Sequence, residues 1–224
     1  MKLTFLGTGT SQGVPVIACD CEVCQSVDFH DKRLRSSVHI EVDGLSLVID
    51  TGPDFRQQML RERIKRLDAV IFTHEHKDHT AGLDDIRSFN FLQQMDMPVY
   101  ASTAVITQLK YPGVPLVDVK LLDGKPFTIG QTTITPINVM HFKLPVFGFR
   151  IGDFTYITDA NYISDEEKKK IKGSKVLVLN ALQKTPHISH FTLDEAISLA
   201  QELKADQTYF THISHKLGAH RDVS

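Results

Sequence analysis

Apolar and polar residues alternate over 38–42 and 45–49, which predicts two half-buried strands. Asp43-Gly44 separates the two runs and is a strong signal for a tight hairpin. In this pattern Val38, Ile40 and Val42 face the core and His39 faces solvent. We expect both His39 and His30 to be ordinary surface histidines.

The same reading predicts strands and helices in alternation along the whole chain. Further strands are expected at residues 2–6, 69–72, 99–100, 127–139 (two runs), 147–151, 154–158, 176–179 and 207–211. Helices are expected at residues 55–66 and 83–91, and a short helix that begins at Ser102 is expected to end before Tyr111. Two more are expected after the capping boxes that begin at Ser164 and Thr192, and the second of these runs to about Leu203. This order predicts one α/β domain over residues 1–224.

Length and charge narrow the classes of function. The chain has 224 residues and a formal net charge of -2, so composition gives no support to non-specific binding of nucleic acid. No apolar run reaches the roughly 18 residues of a membrane span. Met1-Lys2-Leu3 begins a strand without the apolar segment of a signal peptide. We therefore expect a cytoplasmic protein with no membrane partner, and the sequence leaves a homodimer open.

The buried run 69–72 leads directly into Thr73-His74-Glu75-His76-Lys77-Asp78-His79. His74 and His76 alternate by two, so on an extended segment both imidazoles point the same way and can chelate one ion. Asp78 and His79 are adjacent on the turn that follows, which suits a second ion beside the first. The spacing therefore predicts a metal site.

Four further ends of predicted strands carry an aspartate or a histidine. These four residues are Asp50, His141, Asp159 and His212, and with His74 they make a set of five. In layered α/β folds such groups gather at one edge of the sheets. Asp50 is suited to accept an imidazole N–H and so fix the tautomer of a metal-binding histidine. The glycine loop at residues 7–13 lacks the ending of a phosphate loop, and we expect it to let backbone pass close to the metal site.

All three cysteines, Cys19, Cys21 and Cys24, lie in one short loop. An odd number in a chain without an export signal argues against a disulfide framework. Thiolates at this spacing can wrap one tetrahedral zinc ion, but a closed site needs a fourth ligand. The sequence offers His215 and His220 for that position.

The histidine-rich run resembles the signature of the metallo-β-lactamase superfamily of binuclear hydrolases. Within that superfamily, the segment Leu6–Pro15, the cysteine loop and the segment Asp50–Arg56 resemble the group of cyclic phosphodiesterases of bacterial phosphonate degradation. The resemblance implies an αββα sandwich, two sheets packed face to face with helices outside. It also implies a ligand set: His74, His76 and His141 for one ion, Asp78, His79 and His212 for the other, and Asp159 as the bridge.

The resemblance further implies a phosphodiesterase that cleaves a small phosphate diester, such as a cyclic ribose phosphate. Asp78 would orient the attacking hydroxide and His190 would protonate the leaving group, with His187 as competitor for that role. A carboxylate bridge suits harder ions, so manganese is as acceptable as zinc in the active site. In the resembling group the cysteine loop holds a structural zinc that a histidine at the position of His215 completes.

Three other functions use the same residues. A nuclease that processes the 3′ end of tRNA shares the ligands, but no inserted segment rich in Lys and Arg is present to bind RNA. A thioester or lactone hydrolase also shares them, and the ligands alone do not separate it from a phosphodiesterase. An inactive, zinc-stabilised binding module is disfavoured because the ligand set is complete.

Overall fold

The computed structural model describes residues 1–109 and 117–223, and within them the chain forms two six-stranded sheets. The first sheet comes from the N-terminal half, with strands β1 (Lys2–Gly7), β2 (Ser37–Val42), β3 (Leu45–Ile49), β4 (Ala69–Ile71), β5 (Met97–Ala101) and β6 (Val117–Leu121). The second comes from the C-terminal half, with β7 (Phe127–Ile129), β8 (Thr132–His141), β9 (Leu144–Ile151), β10 (Phe154–Tyr156), β11 (Val176–Asn180) and β12 (Gln207–Thr211).

Each sheet is mixed, and its spatial order follows the chain. In the first sheet β1, β2 and β3 pair antiparallel, and β3 to β6 pair parallel. In the second sheet β7 to β10 pair antiparallel, and β10 to β12 pair parallel. Each half of the chain thus builds one sheet, with an antiparallel part followed by a parallel part.

Short helices connect the strands and cover the outer faces. They are α1 (Glu22–Gln25), α2 (Phe55–Glu62), α3 (Lys77–Thr80), α4 (Arg87–Gln93), α5 (Thr103–Gln108), α6 (Asp165–Ile171), α7 (Leu193–Leu203) and α8 (His220–Val223). Single 3₁₀ turns lie at Phe29–Asp31, Leu83–Ile86 and His215–Leu217. Among the described residues, none of these helices has the length and apolar character needed to cross a bilayer.

Three apolar clusters define four layers. The central cluster lies between the sheets and includes Ile40, Leu47, Phe149 and Tyr156, all fully buried. A second packs the other face of the first sheet against α2, α4 and α5, and a third packs the second sheet against α6 and α7. Burial of apolar area in these layers stabilises the fold at roughly 25 cal/mol per Å². The architecture is therefore the αββα sandwich that the family resemblance implied.

The predicted hairpin is confirmed, but one of its residues is not where the sequence placed it. Asp43 and Gly44 both have positive φ, 50° and 77°, as a tight hairpin turn requires. His39 is only 4% exposed, and its Nε2 lies 2.7 Å from Ser46 Oγ. Ser46 in turn donates to the carbonyl oxygen of Arg66. The prediction of a solvent-facing His39 was wrong because the chain after α2 also covers the outer face of this sheet; His30 is exposed as predicted.

Several predicted boundaries shift. Helix α2 ends at Glu62 rather than residue 66, because Arg63 adopts a left-handed backbone with φ 53°. The predicted helix 83–91 divides into the 3₁₀ turn at Leu83–Ile86 and α4. The predicted short helix after Ser102 is confirmed as α5, which Ser102 caps by accepting from the backbone N–H of Val105 and which ends at Gln108, before Tyr111.

One of the two predicted capping boxes is complete. At Thr192 the side chain accepts from the backbone N–H of Glu195, and the Glu195 carboxylate accepts from the backbone N–H of Thr192. At Ser164 the side chain accepts from Glu167 N–H, but the Glu167 carboxylate instead accepts from the backbone N–H of Asn138 on β8, at 2.8 Å. That second contact is long-range, so the local pattern does not reveal it.

Candidate metal centres

The strand ends of both sheets meet at one edge of the sandwich. Asp50 follows β3, His141 ends β8, Asp159 lies three residues after β10, and His212 follows β12. His74 lies three residues after β4, and each of these five residues is at most 9% exposed. The predicted convergence of the strand-end residues is present in the structure.

Three of these positions have an unusual backbone. Asp50, Asp159 and His212 have φ values of 64°, 51° and 56°. A non-glycine residue in the left-handed region is uncommon and costs on the order of 1–2 kcal/mol. From these positions Asp50 contacts His79, and Asp159 contacts His190 and His212.

Gly52 allows the turn after β3 to approach the histidine-rich run. A Cβ atom at this position would collide with the backbone carbonyl oxygen of Asp78. Thr51 N–H also donates to the carbonyl oxygen of His79, at 2.8 Å. Glycine is therefore required here by close packing of backbone on backbone.

The first candidate ligand group is His74, His76 and His141, which offer one nitrogen each within 4.8 Å of one another. Thr73 Oγ1 donates to Asp50 at 2.8 Å, so it accepts from His74 Nδ1, which lies 2.9 Å away. His141 Nδ1 donates to the carbonyl oxygen of Ser189 at 2.9 Å. Both rings therefore direct an unprotonated Nε2 into the group.

His74 Nε2 is buried and makes no hydrogen bond within the described protein. Burial lowers the pKa of His74 well below its usual value, and burial likewise lowers the pKa of His141. Both rings are therefore neutral at pH 7, which is the form that binds a metal ion. A buried lone pair without a donor is costly unless a cation lies beside it.

The second candidate ligand group is Asp78, His79, Asp159 and His212, whose ligand atoms lie within 4.8 Å of one another. His79 Nε2 lies 3.1 Å from Asp78 Oδ2 and 3.1 Å from Asp159 Oδ2, but at angles that form no hydrogen bond. His212 Nδ1 lies 3.1 Å from Asp159 Oδ2. Nitrogen and oxygen atoms thus surround a common point rather than pairing with each other.

The charges of this second group favour a cation. Burial alone would lower the pKa of His79, but the carboxylates of Asp159 and Asp50 outweigh it and raise that pKa. Burial opposes ionisation of Asp159, yet His212 and His79 hold its pKa well below the usual value. Burial lowers the pKa of His212 to about 4. The carboxylates that favour a proton on His79 favour a divalent ion at the same point.

Asp50 is not one of the candidate ligands, but it contacts one of them. Its Oδ2 lies 2.7 Å from His79 Nδ1. It also accepts from Thr73 N–H at 2.9 Å and from Thr73 Oγ1 at 2.8 Å. Burial raises the pKa of Asp50, but all three neighbours donate, so none can receive a carboxyl proton and we assign a carboxylate. The predicted contact of Asp50 with an imidazole is present, and it leaves His79 Nε2 free to bind.

His190 lies against the centre of the site. Its Nε2 is 2.9 Å from Asp159 Oδ1, and its ring stacks on that of His212 with centroids 4.8 Å apart. His187 does not reach the carboxylate but places its Nδ1 3.2 Å from His190 Nδ1. Of the two histidines that the sequence offered as proton donor, only His190 is in direct contact with Asp159.

Sequence reasoning missed the residues that hold the ligands in place. Thr73 connects Asp50 with His74, and Thr158 Oγ1 donates to Asp159 Oδ2 at 2.7 Å. Both threonines immediately precede a candidate ligand, and that adjacency was the available signal. The Ser189 carbonyl that orients His141 has no side-chain signature, so the sequence gives no indication of it.

The cysteine loop forms a separate group with a histidine from the other end of the chain. His215 Nδ1 lies 3.3 Å from Cys19 Sγ, 3.3 Å from Cys21 Sγ and 3.5 Å from Cys24 Sγ. In a tetrahedral zinc site with ordinary bond lengths, sulfur and nitrogen ligands are separated by about 3.5 Å. The four atoms therefore fit one zinc ion.

His220 does not join this group. Its ring stacks on that of His30 with centroids 4.7 Å apart, and its backbone N–H donates to Asp31. Burial raises the pKa of Cys24 to about 11, whereas the backbone N–H of Cys24 and then the His215 side chain lower the pKa of Cys21 to about 6. Of the two histidines that the sequence offered, the structure brings His215 to the thiols.

The glycine loop connects the two regions. Gly9 forms bridges with both Arg35 and Ile213, and Ile213 directly follows the candidate ligand His212. A Cβ atom at Gly9 would approach the Arg33 carbonyl oxygen to 2.6 Å. The expectation that these glycines allow backbone to pass close to the metal site agrees with this packing.

Comparison with known proteins places the chain in a family. Residues 46–213 match the beta-lactamase superfamily domain, which is well over half of the 224 residues. The crystal structure of a diphosphatase from the PhnP family is 42% identical, with a TM-score of 0.95, and covers 98% of this chain and 89% of that one.

Two relatives carry other names. An octanoyltransferase of Porphyromonas gingivalis is 38% identical over 238 residues, which is 99% of this chain and 48% of that protein. A ribonuclease Z of Bacillus licheniformis is 28% identical over 165 residues, 68% of this chain and 49% of that protein. The chain thus spans about half the length of these curated relatives. The two mixed sheets, the domain match and the similarity to the PhnP-family structure establish that this chain belongs to the metallo-β-lactamase superfamily.

Proposed function

We propose that this chain is a binuclear metal-dependent hydrolase of phosphodiesters whose substrate is a small phosphate ester. The observation that carries the proposal is the pair of adjoining ligand groups at the strand ends. His141, Asp159 and His190 also lie within 4.8 Å of one another, so they connect the three-histidine group with the mixed group. Two cations held side by side by these groups would suit the displacement of one oxygen by another at phosphorus.

The donors fit divalent ions. The first group supplies three imidazoles, and the second supplies two imidazoles and two carboxylates, a set that both zinc and manganese accept. Buried Nε2 atoms of His74 and His79 have no hydrogen-bond partner within the described residues, which supports an ion beside each. When bound, such ions would polarise the phosphoryl oxygens and lower the pKa of a water molecule.

The side chains have distinct roles in this proposal. Asp78 is held as a carboxylate, since His79 lowers its pKa against the opposing effect of burial, and it would orient the attacking water. His190 Nε2 would donate a proton to the leaving alkoxide once substrate displaces its contact with Asp159. Asp50 and Thr73 keep the ligand histidines in the tautomer that binds.

We also propose that Cys19, Cys21, Cys24 and His215 hold one structural zinc ion. The four ligand atoms fill a tetrahedral shell with protein groups, which leaves no position for a reactive water. The ion would join the N-terminal loop to the segment after β12. The three thiols form no disulfide that could join these segments in its place.

The similarity to a diphosphatase at 42% identity supports a phosphorus centre as the point of attack. Similarity to a ribonuclease Z is weaker, and the net charge of -2 gives little attraction to an RNA backbone. A second candidate is hydrolysis of an acyl thioester, which the same candidate ligands allow; the octanoyltransferase is 38% identical, but this chain spans only 48% of that protein.

The test combines metal analysis with a substrate panel. Protein stripped of metal and reloaded with zinc or manganese should hydrolyse bis-p-nitrophenyl phosphate only after reloading, with no comparable rate on an octanoyl thioester or a β-lactam. Elemental emission should count two active-site ions besides the structural one. Thioester cleavage without phosphodiester cleavage would select the second candidate.

A matched pair of variants isolates the bridging carboxylate. Asp159→Asn keeps a residue that tolerates the left-handed backbone but removes the charge, and activity should fall on the order of 100-fold or more. Asp153→Asn makes the same change in an exposed hairpin residue that pairs with Lys175 and should leave activity unchanged. Full activity of Asp159→Asn would contradict the two-metal proposal.

A further inference from the structure

A cavity of about 450 Å³ opens directly beside the candidate active site. Its lining includes the candidate ligands His76 and His141 together with Phe142, Lys143 and Ile188. A substrate whose phosphate lies at the ligand histidines can therefore extend a neighbouring substituent into this cavity. The walls of the cavity then decide which substituents are accepted.

Phe142 is exposed although its conformation is costly. It directly follows His141, its backbone has φ 57°, and 48% of its surface is accessible. A bulky residue in the left-handed region is an outlier that the surrounding structure must hold. Core packing does not account for an aromatic ring that is half exposed at the rim of a site.

Asn161 contacts two of the segments that line the cavity. Its Oδ1 accepts from the backbone N–H of Phe142 at 2.7 Å, and its Nδ2 donates to the carbonyl oxygen of Ile188 at 3.2 Å. One side-chain amide thus fixes the segment that carries the aromatic ring and the segment that carries the aliphatic one. Ile188 is 65% exposed, so both apolar groups are available to a ligand.

Lys143 adds a positive charge at the same rim. Its Nζ lies 5.3 Å from the centroid of the Phe142 ring, within the range of a cation–π contact. In the described parts of the chain no carboxylate lies within ion-pair distance of it. The cavity therefore combines an aromatic face, an aliphatic face and an available cation.

We infer that this cavity is a nucleobase subsite, in which a base of a nucleotide substrate stacks on Phe142 near Ile188 and Lys143 pairs with a phosphate outside the metal centre. The inference rests on the proposed function, because it requires a phosphate at the ligand histidines. A flat base uses the aromatic face, and a nucleotide's second phosphate uses the cation. An alkyl chain would pack against the apolar side chains but would neither stack a flat ring on Phe142 nor use the charge of Lys143.

The test measures binding to the zinc-loaded full chain by calorimetry, so it does not depend on turnover. Three monophosphates differ only in their substituent: adenosine 5′-monophosphate, ribose 5-phosphate and octyl phosphate. The adenosine compound should bind about 10-fold more tightly than ribose 5-phosphate. Equal affinity for these two, or preference for octyl phosphate, would overturn the inference. A chain that binds them as expected but hydrolyses no phosphodiester would refute the proposed function alone.

Substitutions of Phe142 and Asn161 test whether these residues form the subsite. Phe142→Leu stays apolar but loses the aromatic face, so the preference for the adenosine compound should disappear, while Phe142→Tyr should retain it. Asn161→Ala should reduce the affinity for the adenosine compound and leave that for ribose 5-phosphate unchanged, as expected of a positioning residue. A Phe142→Leu variant with the full preference would overturn the inference.

A separate binding measurement tests the role of the Lys143 ammonium group. Wild-type protein should bind adenosine 5′-diphosphate more tightly than the monophosphate, and Lys143→Gln should remove that gain. A Lys143→Gln protein that keeps the gain would exclude Lys143 from the subsite. The melting temperature of each variant, measured alongside, separates a loss of binding from a loss of folding.

Discussion

Asp50→Asn is the most informative single change, because Asp50 touches no proposed ion yet determines the state of a proposed ligand. Its carboxylate accepts from Thr73 N–H, from Thr73 Oγ1 and from His79 Nδ1, at 2.7 to 2.9 Å. A carboxamide has one oxygen and one NH₂ group. Whichever way it is turned, its NH₂ group faces a donor.

Both orientations have a cost that can be worked out. If the NH₂ group faces Thr73 N–H, a buried hydrogen bond to a charged group is lost, roughly 1.5–3 kcal/mol of stability. If it faces His79, the imidazole must move its proton from Nδ1 to Nε2, the atom that lies 3.1 Å from Asp78 and from Asp159. Loss of such a supporting contact weakens metal binding about 10- to 100-fold, or about 1.4–2.8 kcal/mol.

The assay is titration of the metal-free protein with zinc or manganese against a chelating dye, together with thermal unfolding. Asp54→Asn is the matched control, since Asp54 pairs with Arg35 at 3.0 Å and contacts no candidate ligand. The control should lower the melting temperature without changing metal affinity. Wild-type affinity in a folded Asp50→Asn protein would refute the role assigned to Asp50, as would an equal loss in both variants.

Three further predictions concern separate parts of the molecule. His215→Ala should release one zinc ion per chain and lower the melting temperature, whereas His220→Ala should do neither; the reverse zinc counts would reassign the fourth ligand. His190→Ala should slow substrates with alkoxide leaving groups far more than nitrophenyl esters, because nitrophenolate needs no proton; equal losses would indicate a binding role. Burial lowers the pKa of His39 below 6.5, so its contribution to stability is present above that pH and is lost as the pH falls. The free energy of unfolding should therefore decline less steeply from pH 7 to pH 5 in His39→Gln than in wild type, and parallel curves would contradict this.

The sequence predicted correctly those features that depend only on residues close together in the chain. The Asp43-Gly44 turn needs two residues with positive φ, and these residue types supply them. The capping box at Thr192 is made within four residues, and the helix forms as the pattern indicates. The candidate site could be predicted because its ligands follow directly after segments with strand patterns. Parallel strands then bring these ends to one edge of the sheet.

What the sequence did not reveal depends on the packing of distant segments. His39 is buried because residues after α2 cover a face that alternation alone assigns to solvent. The Glu167 carboxylate accepts a hydrogen bond from the backbone N–H of Asn138, 29 positions away, instead of completing the expected capping box. Asp159 turns into the site through a left-handed backbone, which no residue pattern around it indicates.

Because each sheet comes from one continuous half of the chain, every proposed metal group draws ligands from both halves. The run 74–79 lies in the first half and meets His141 and later residues from the second, and the cysteine loop meets His215 in the same way. A cut at Gly124, in the turn between β6 and β7, would leave neither fragment with a complete group. The protein is thus suited to fragment complementation in which bound metal reports that the two halves have reassembled.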